Sequence, residues 1–386
     1  MIERVKKEIV GVVLLNLGGP DSLQSVRPFL YNLFSDRQII RLGPSFMQRP
    51  LASLISTIRS KKTKRLYELL GGKSPILEIT KSQAKALEKT LNNQSEVKSQ
   101  KSKVDNSGLR TQDSRLFKVY VAMRYWHPLI QEVVPEIFND GIRKIVVLSL
   151  YPHYSIATTG SSLLKFKEVM IKIYQPDRNE IQEINNSFDL QEVRDKSSFT
   201  VHCTLCTVHC VTSWFDHPLY IDSLVTTIKK GLESFTLTLT LPLQRGGKDG
   251  GDIHILFSAH SLPEKLINKG DPYVNQIMGT IREISKRIQI KWHLSYQSRS
   301  GPVRWLKPST EEKLREFSRE GIKNVLVVPI SFISDHIETL YEIDILYKNM
   351  AEKLGITLMR VDSLNVQPGF IEALKDIVLK NAEKVG

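Results

Sequence analysis

Asp335, Glu338 and Glu342 stand three and four residues apart in Ser331-Phe-Ile-Ser-Asp-His-Ile-Glu-Thr-Leu-Tyr-Glu-Ile-Asp344, a spacing that puts them on one face of a helix. Like charges so placed weaken an isolated helix. The acidic face therefore predicts a site for something cationic, with the helix dipole as a simpler account of the first-turn acids. That simpler account covers Asp335 and Glu338 but not Glu342, a turn further in. His260 closes another apolar run, in Leu256-Phe-Ser-Ala-His-Ser-Leu-Pro263. A neutral imidazole and a carboxylate can share a divalent ion of the Fe2+ or Zn2+ type with positions left open. They can equally act as proton acceptors near neutral pH. His336 would join such a site or cap the helix, His127 and His153 occupy loops that could reach a ligand, and His217 reads as structural.

The elements that must position these residues show an internal repeat. Asp140-Gly-Ile-Arg-Lys-Ile-Val-Val-Leu-Ser-Leu-Tyr-Pro-His-Tyr154 aligns with Glu320-Gly-Ile-Lys-Asn-Val-Leu-Val-Val-Pro-Ile-Ser-Phe-Ile-Ser334. Each is a Gly turn, a buried strand and a loop that opens a helix. Earlier strands match in kind: Ile9 to Asn16 with Ile253 to Ser258, and Lys118 to Met123 with Ile290 to Tyr296. Helical segments between them, such as Lys81 to Leu91, Leu129 to Asn139 and Glu311 to Glu320, predict right-handed crossovers and parallel sheets. The expected fold is α/β, two similar doubly wound, Rossmann-like parallel-sheet domains with a cleft between them. The expected domains are 1–175, with a disordered insert at 92–115, and 176–386, which carries the metal-site residues and has inserts at about 176–209 and 236–251. The C-terminal helix is free to pack back on the first domain. Ligands of such sheets bind beyond the carboxyl ends of the strands, where both His260 and the acidic helix fall.

The chain has 386 residues and a formal net charge of +13, which invites a nucleic-acid reading. No zinc-finger spacing, basic heptad or RNP-type motif accompanies the charge, so an anionic small molecule or membrane surface suits it better. Nothing near the N-terminus reads as a signal peptide, and no apolar run approaches the roughly 20 residues of a spanning helix. The expected location is the cytoplasm, with peripheral membrane association allowed. Three cysteines, Cys203, Cys206 and Cys210, lie in Thr200-Val-His-Cys-Thr-Leu-Cys-Thr-Val-His-Cys210. Their spacing resembles metal ligation, but a site built only of thiolates needs a fourth, and buried or inert thiols are the simpler expectation. Aromatic and basic residues crowd the strand-end loops, among them Arg124, Tyr125, Tyr273, Trp305 and Phe332. They suit a flat, apolar, anionic ligand.

At these residues the sequence resembles the ferrochelatases, which insert Fe2+ into a porphyrin in haem biosynthesis. The markers are Leu14-Leu-Asn-Leu-Gly-Gly-Pro20, Gly71-Gly-Lys-Ser-Pro-Ile76, Met123-Arg-Tyr-Trp-His-Pro128, Tyr151-Pro-His-Tyr-Ser155, Phe257-Ser-Ala-His-Ser-Leu-Pro263, Gly270-Asp-Pro-Tyr273, Gln297-Ser-Arg-Ser-Gly-Pro302 with Trp305, and Ser334-Asp-His-Ile-Glu-Thr-Leu-Tyr-Glu342. The resemblance implies a chelatase-type fold and a lyase that makes protohaem from protoporphyrin IX with release of two protons. It implies His260, Glu338 and Glu342 as catalytic residues, with His260 and Glu338 at the metal. It places Leu17, Arg59, Ser74, Arg124, Tyr125, Tyr273, Trp305 and Phe332 at the porphyrin. Some members carry a 2Fe-2S cluster on four cysteines; with three cysteines and Ile156 where some relatives have a cysteine, none is expected here, and no cofactor beyond the two substrates. Two alternatives stay open: a chelatase for another tetrapyrrole such as coproporphyrin, and a non-catalytic porphyrin or haem carrier. Monomer and homodimer are both allowed, and no nucleic-acid partner is expected.

Overall fold

The structure is a computed structural model that describes residues 8–101, 115–240, 252–299, 301 and 303–386, without the side chains of 94–101, 239 and 240. The chain divides into two compact units. The first comprises Met1–Gly18, Glu78–Trp214 and Pro368–Gly386, and the second comprises Gly19–Leu77 and Phe215–Gln367.

In the first unit the strands are β1 (Ile9–Asn16), β2 (Leu116–Met123), β3 (Lys144–Ser149), β4 (Ser198–His202) and β5 (Thr207–Val211), in the order β2-β1-β3-β5-β4. The first four are parallel and β4 runs antiparallel to β5. Val10 and Val12 to Leu15 are fully buried, as expected of a parallel strand covered on both faces. Gly11 belongs in this run because a Cβ there would sit 2.9 Å from Ile142 Cγ2. Helix Pro368–Ala382 packs on β3 and β5. In its last turn the Ala382 carbonyl accepts from Arg115, and Asn381 Oδ1 meets His209 Nε2 at 2.8 Å.

In the second unit β6 (Ile253–His260), β7 (Trp292–Gln297), β8 (Asn324–Pro329) and β9 (Thr357–Arg360) form a fully parallel sheet ordered β7-β6-β8-β9. Both sheets thus place their first strand between their second and third, so the two halves that share the sequence repeat also share a strand order. The repeat also holds at the turns. Gly141 and Gly321 lie at φ +74° and +75°. The amides of Ile142 and Ile322 reach back to the carbonyls of Ile137 and Phe317, closing each preceding helix with a Schellman turn that only glycine adopts without strain.

Three expectations are corrected. A boundary after residue 175 fails because the supposed insert 176–209 contains β4 and most of β5, which are integral to the first sheet. The apolar faces of Val201, Val208 and Cys210 bury in that unit's core, so the segment is scaffold. The second correction concerns 92–115: helix Ile76–Lys101 runs on through residues 92–101. That polar stretch contains no Gly or Pro to stop a helix; 102–114 lie outside the described residues. The third concerns 236–251, where helix Pro218–Thr240 includes 236–240 and the remainder lies outside the described residues.

Candidate active site

In the second unit the chain leaves β6 toward β7 on one side and returns to β8 on the other, so the strand order reverses between β6 and β8. The crevice at such a reversal is where doubly wound sheets bind ligands. β6 ends on His260, and the loop after β8 leads into a helix of π type, Glu338–Tyr347, a form that recurs at functional sites. The two loops are tied together. The His260 amide donates to Ser331 Oγ at 2.9 Å, and the Tyr273 hydroxyl donates to the His260 carbonyl at 3.0 Å.

His260 Nδ1 lies 2.8 Å from Glu338 Oε2. Burial works against a charged imidazole here, but the carboxylates of Glu338 and Glu342 outweigh it and raise the His260 pKa. Burial likewise opposes the Glu338 carboxylate, and His260 with the Ser298 hydroxyl outweighs it, holding Glu338 below the usual carboxylate range. Each member of the pair therefore favours the charged form of the other. Their side chains keep 33% and 18% of their surface exposed, enough for a ligand to reach both.

Ser298 joins the second acid to this pair. Its hydroxyl lies 2.8 Å from Glu338 Oε2 and 2.6 Å from Glu342 Oε2. One hydroxyl carries one proton, so it donates to one carboxylate and must receive from the other. Glu342 is the acid that keeps its proton: burial first, and then the Glu338 charge, push its pKa up to about 7. The chain of donation therefore runs from Glu342 through Ser298 to Glu338. Gln297 fixes its geometry. Its Oε1 accepts from Ser258, which turns its amide toward Glu342 Oε2 and the Glu338 carbonyl.

Asp335 stands apart from this cluster. It accepts from Ser363, Arg360, Thr339 and Asn365, and Arg360 also pairs with Asp344. The most N-terminal acid of the expected face thus anchors the loop after β8 to the loop after β9. His336 is buried, and its Nδ1 faces the Ser334 carbonyl at 3.1 Å. A carbonyl only accepts, so Nδ1 carries the proton and Nε2 keeps its lone pair. Burial lowers the His336 pKa despite the neighbouring Glu338. Among the described residues no three His, Cys, Asp or Glu side chains form a metal cage.

Of the expected porphyrin residues, Phe332 stands edge-on to His260 at 6.2 Å between ring centroids and packs on His336 at 4.4 Å. Tyr273 is buried, with its hydroxyl given to the His260 backbone, and half-buried Trp305 bridges to Pro263. The exposed Arg59 lies over the Phe34 ring at 5.5 Å, and Ser74 is buried. In the first unit, Leu17, Arg124 and Tyr125 gather at the carboxyl ends of β1 and β2. The Tyr125 amide donates to the Leu17 carbonyl, and the Arg124 guanidinium lies 4.9 Å from the Tyr125 ring and donates to Ser161. His127 pairs with Glu132 on the surface. His153 is fully buried, and burial lowers its pKa to about 3, so it belongs to the core rather than a ligand-facing loop.

Sequence reasoning assigned no role to three residues. Ser298 and Gln297 follow the strand-end rule, since they close β7, but a serine at φ +67° has no local sequence signal. Tyr67, on helix Gln48–Glu68, is buried where burial and the Glu338 charge raise its phenol pKa, and it hydrogen-bonds Ser74. It is far from the motif in sequence, and only the fold brings it near.

The ferrochelatase family profile matches residues 9–192 and 187–382. The chain belongs to the ferrochelatase family. It is 41% identical to the ferrochelatase of a Sulfurihydrogenibium species over 97% of this chain and 99% of that one. It is 43% identical to that of Geobacter metallireducens over 97% and 98%, and 43% identical to that of Desulfotalea psychrophila over 96% and 97%. The family is one of metal chelatases, which are lyases.

Proposed function

We propose that this protein inserts Fe2+ into protoporphyrin IX to form protohaem, with release of two protons. The observation that carries the reading is the His260–Glu338 pair at the β6/β8 reversal, wired through Ser298 to an acid that keeps its proton to near neutral pH. An imidazole and a carboxylate without further ligands suit an ion that must be passed on rather than kept. Fe2+ arriving at Glu338 neutralises the charge that raised the His260 pKa. The imidazolium then loses its proton and becomes an acceptor for the pyrrole N–H. Metal arrival and creation of the base are in this way one event. Glu342 and Ser298 give protons a way out along the helix. Phe332 and Trp305 offer aromatic surface to the macrocycle beside these groups, with Arg59, Ser74 and the buried Tyr273 in the same unit. For Leu17, Arg124 and Tyr125 of the first unit the support is the family resemblance.

A carrier would have no use for a proton chain at the metal path, which favours catalysis. Anaerobic assays with Fe2+ and either protoporphyrin IX or coproporphyrin III decide among the readings. Protoporphyrin turnover is expected; preference for coproporphyrin moves the substrate, and binding of both without turnover leaves a carrier.

Peripheral docking on a bilayer is part of the same proposal. No described helix is long and apolar enough to cross a membrane. Helix Gln48–Glu68 buries Gln48, Ala52, Ser56, Ser60 and Tyr67 while Leu54 and Ile58 stay 57% and 66% exposed. Leu54 and Ile58 share one helical face with the exposed Lys61 and Arg65, and Phe46 and Met47 project just before the helix at 78% and 39% exposure. An apolar stripe continued by basic residues fits an anionic lipid surface. The protein is expected to co-sediment with phosphatidylserine vesicles, and Leu54→Ser with Ile58→Ser to reduce binding at least tenfold. Equal sedimentation of the double variant refutes this face.

A further inference from the structure

The cysteine run takes no part in the proposed site, and its geometry has a chemistry of its own. Cys203 and Cys206 bracket the two-residue turn Thr204-Leu205 between β4 and β5. They exchange both backbone hydrogen bonds, Cys203 N–H to Cys206 O at 2.8 Å and Cys206 N–H to Cys203 O at 3.2 Å. A pair bonded in this way has its Cα atoms about 5.5 Å apart, inside the span of roughly 4.4–6.8 Å that a disulfide bridges. The two thiols are close enough for each to shift the other's pKa. The turn is pinned from outside: Glu180 accepts from the Thr204 amide and from the Tyr174 hydroxyl, which in turn accepts from the Leu205 amide.

We infer that Cys203 and Cys206 form a dithiol site that closes reversibly to a disulfide on reaction with low-molecular-weight disulfides. The pair is asymmetric in the way such chemistry needs. Cys203 is half-buried, and the Cys206 thiol beside it holds its pKa below the ordinary value. Cys206 is buried, and the neighbouring Cys203 thiol, followed by burial, pushes its thiol up. The Cys203 thiolate attacks one sulfur of the small disulfide, breaking that S–S bond and releasing one thiolate, which takes a proton from solvent. The Cys206 sulfur, giving up its proton, then attacks the Cys203 sulfur and expels the second thiolate, which takes that proton. Two protein thiols are oxidised and one small disulfide is reduced to two thiols. Cys210 stays out of the exchange: it is fully buried on β5, and burial raises its thiol pKa.

The test is read by mass, independently of any porphyrin chemistry. The full-length protein is freed of reductant, incubated with glutathione disulfide, unfolded and alkylated. The wild type is expected to fall from three alkylatable thiols to one, mapped to Cys210, and to recover all three with dithiothreitol. Cys206→Ser is expected to stop as a glutathione adduct on Cys203, and Cys203→Ser to retain both remaining thiols. A wild type that keeps three thiols, that holds a lasting adduct on Cys203, or that pairs through Cys210 overturns the inference.

Discussion

His260→Ala will lower Fe2+ insertion at least a thousandfold while leaving porphyrin affinity within a few fold. Removal of a positioned proton acceptor costs about 10²–10⁴ in rate, and this residue has two further duties. Its charge is what holds Glu338 ionised against burial; without it the carboxyl pKa climbs and the anion that would receive Fe2+ is less available. The imidazole also supplies the base that metal arrival sets free. Porphyrin affinity survives because Phe332 keeps its contact with His336 and because Ser331 and Tyr273 hold the backbone of residue 260 rather than its side chain. Insertion followed by absorbance under anaerobic conditions, with porphyrin binding followed by fluorescence, separates the two effects. Turnover near the wild-type rate refutes the role given to His260, and parallel loss of binding shifts that role to shaping the pocket.

How much of this was legible in the sequence depends on the range of the force that fixes each feature. Strands β1, β3, β6 and β8 could be read almost residue for residue, because a buried parallel strand needs an unbroken apolar run and nothing else in the chain supplies one. The repeat located Gly141 and Gly321 because a Schellman turn has a strong local preference for glycine. His260 and Glu338 were legible by position, each lying just past such a strand. The misreadings have the opposite character. β4 and β5 looked like an insert since their alternation is short and polar, and their place in the sheet comes from β5 pairing with β3 and β4 with β5. Asp335 shared a spacing with Glu338 and Glu342, but Arg360, Ser363 and Asn365, from the segment around β9, draw it into a different network. Ser298 escaped notice because its left-handed backbone and its two carboxylate partners are tertiary facts.

Glu342→Gln is expected to impair insertion and to stabilise the fold above neutral pH. In the folded chain its pKa is raised from 4.5 to about 7 by burial and by Glu338, so between those values the native state holds a proton that the unfolded state has lost. Stability then falls as pH rises through this window and stays lower above it. The carboxyl accounts for a penalty on the order of 3 kcal/mol at alkaline pH, and glutamine, which cannot ionise, escapes it. The amide also keeps a donor for Ser298 but can neither take up a proton from it nor pass one on, so the route from Ser298 outward is closed while the geometry is kept. Urea denaturation at pH 5 and pH 8.5 should show the variant and wild type close together at the lower value and the variant more stable at the higher one. Insertion by the variant should fall at least tenfold at pH 8 and lose the inflection near pH 7. A Glu342→Gln protein that is no more stable at pH 8.5 than the wild type refutes the raised pKa, and one that inserts iron at the full rate removes Glu342 from the proton path. A gain in stability together with a loss of rate is the pattern expected of an acid kept buried for its chemistry.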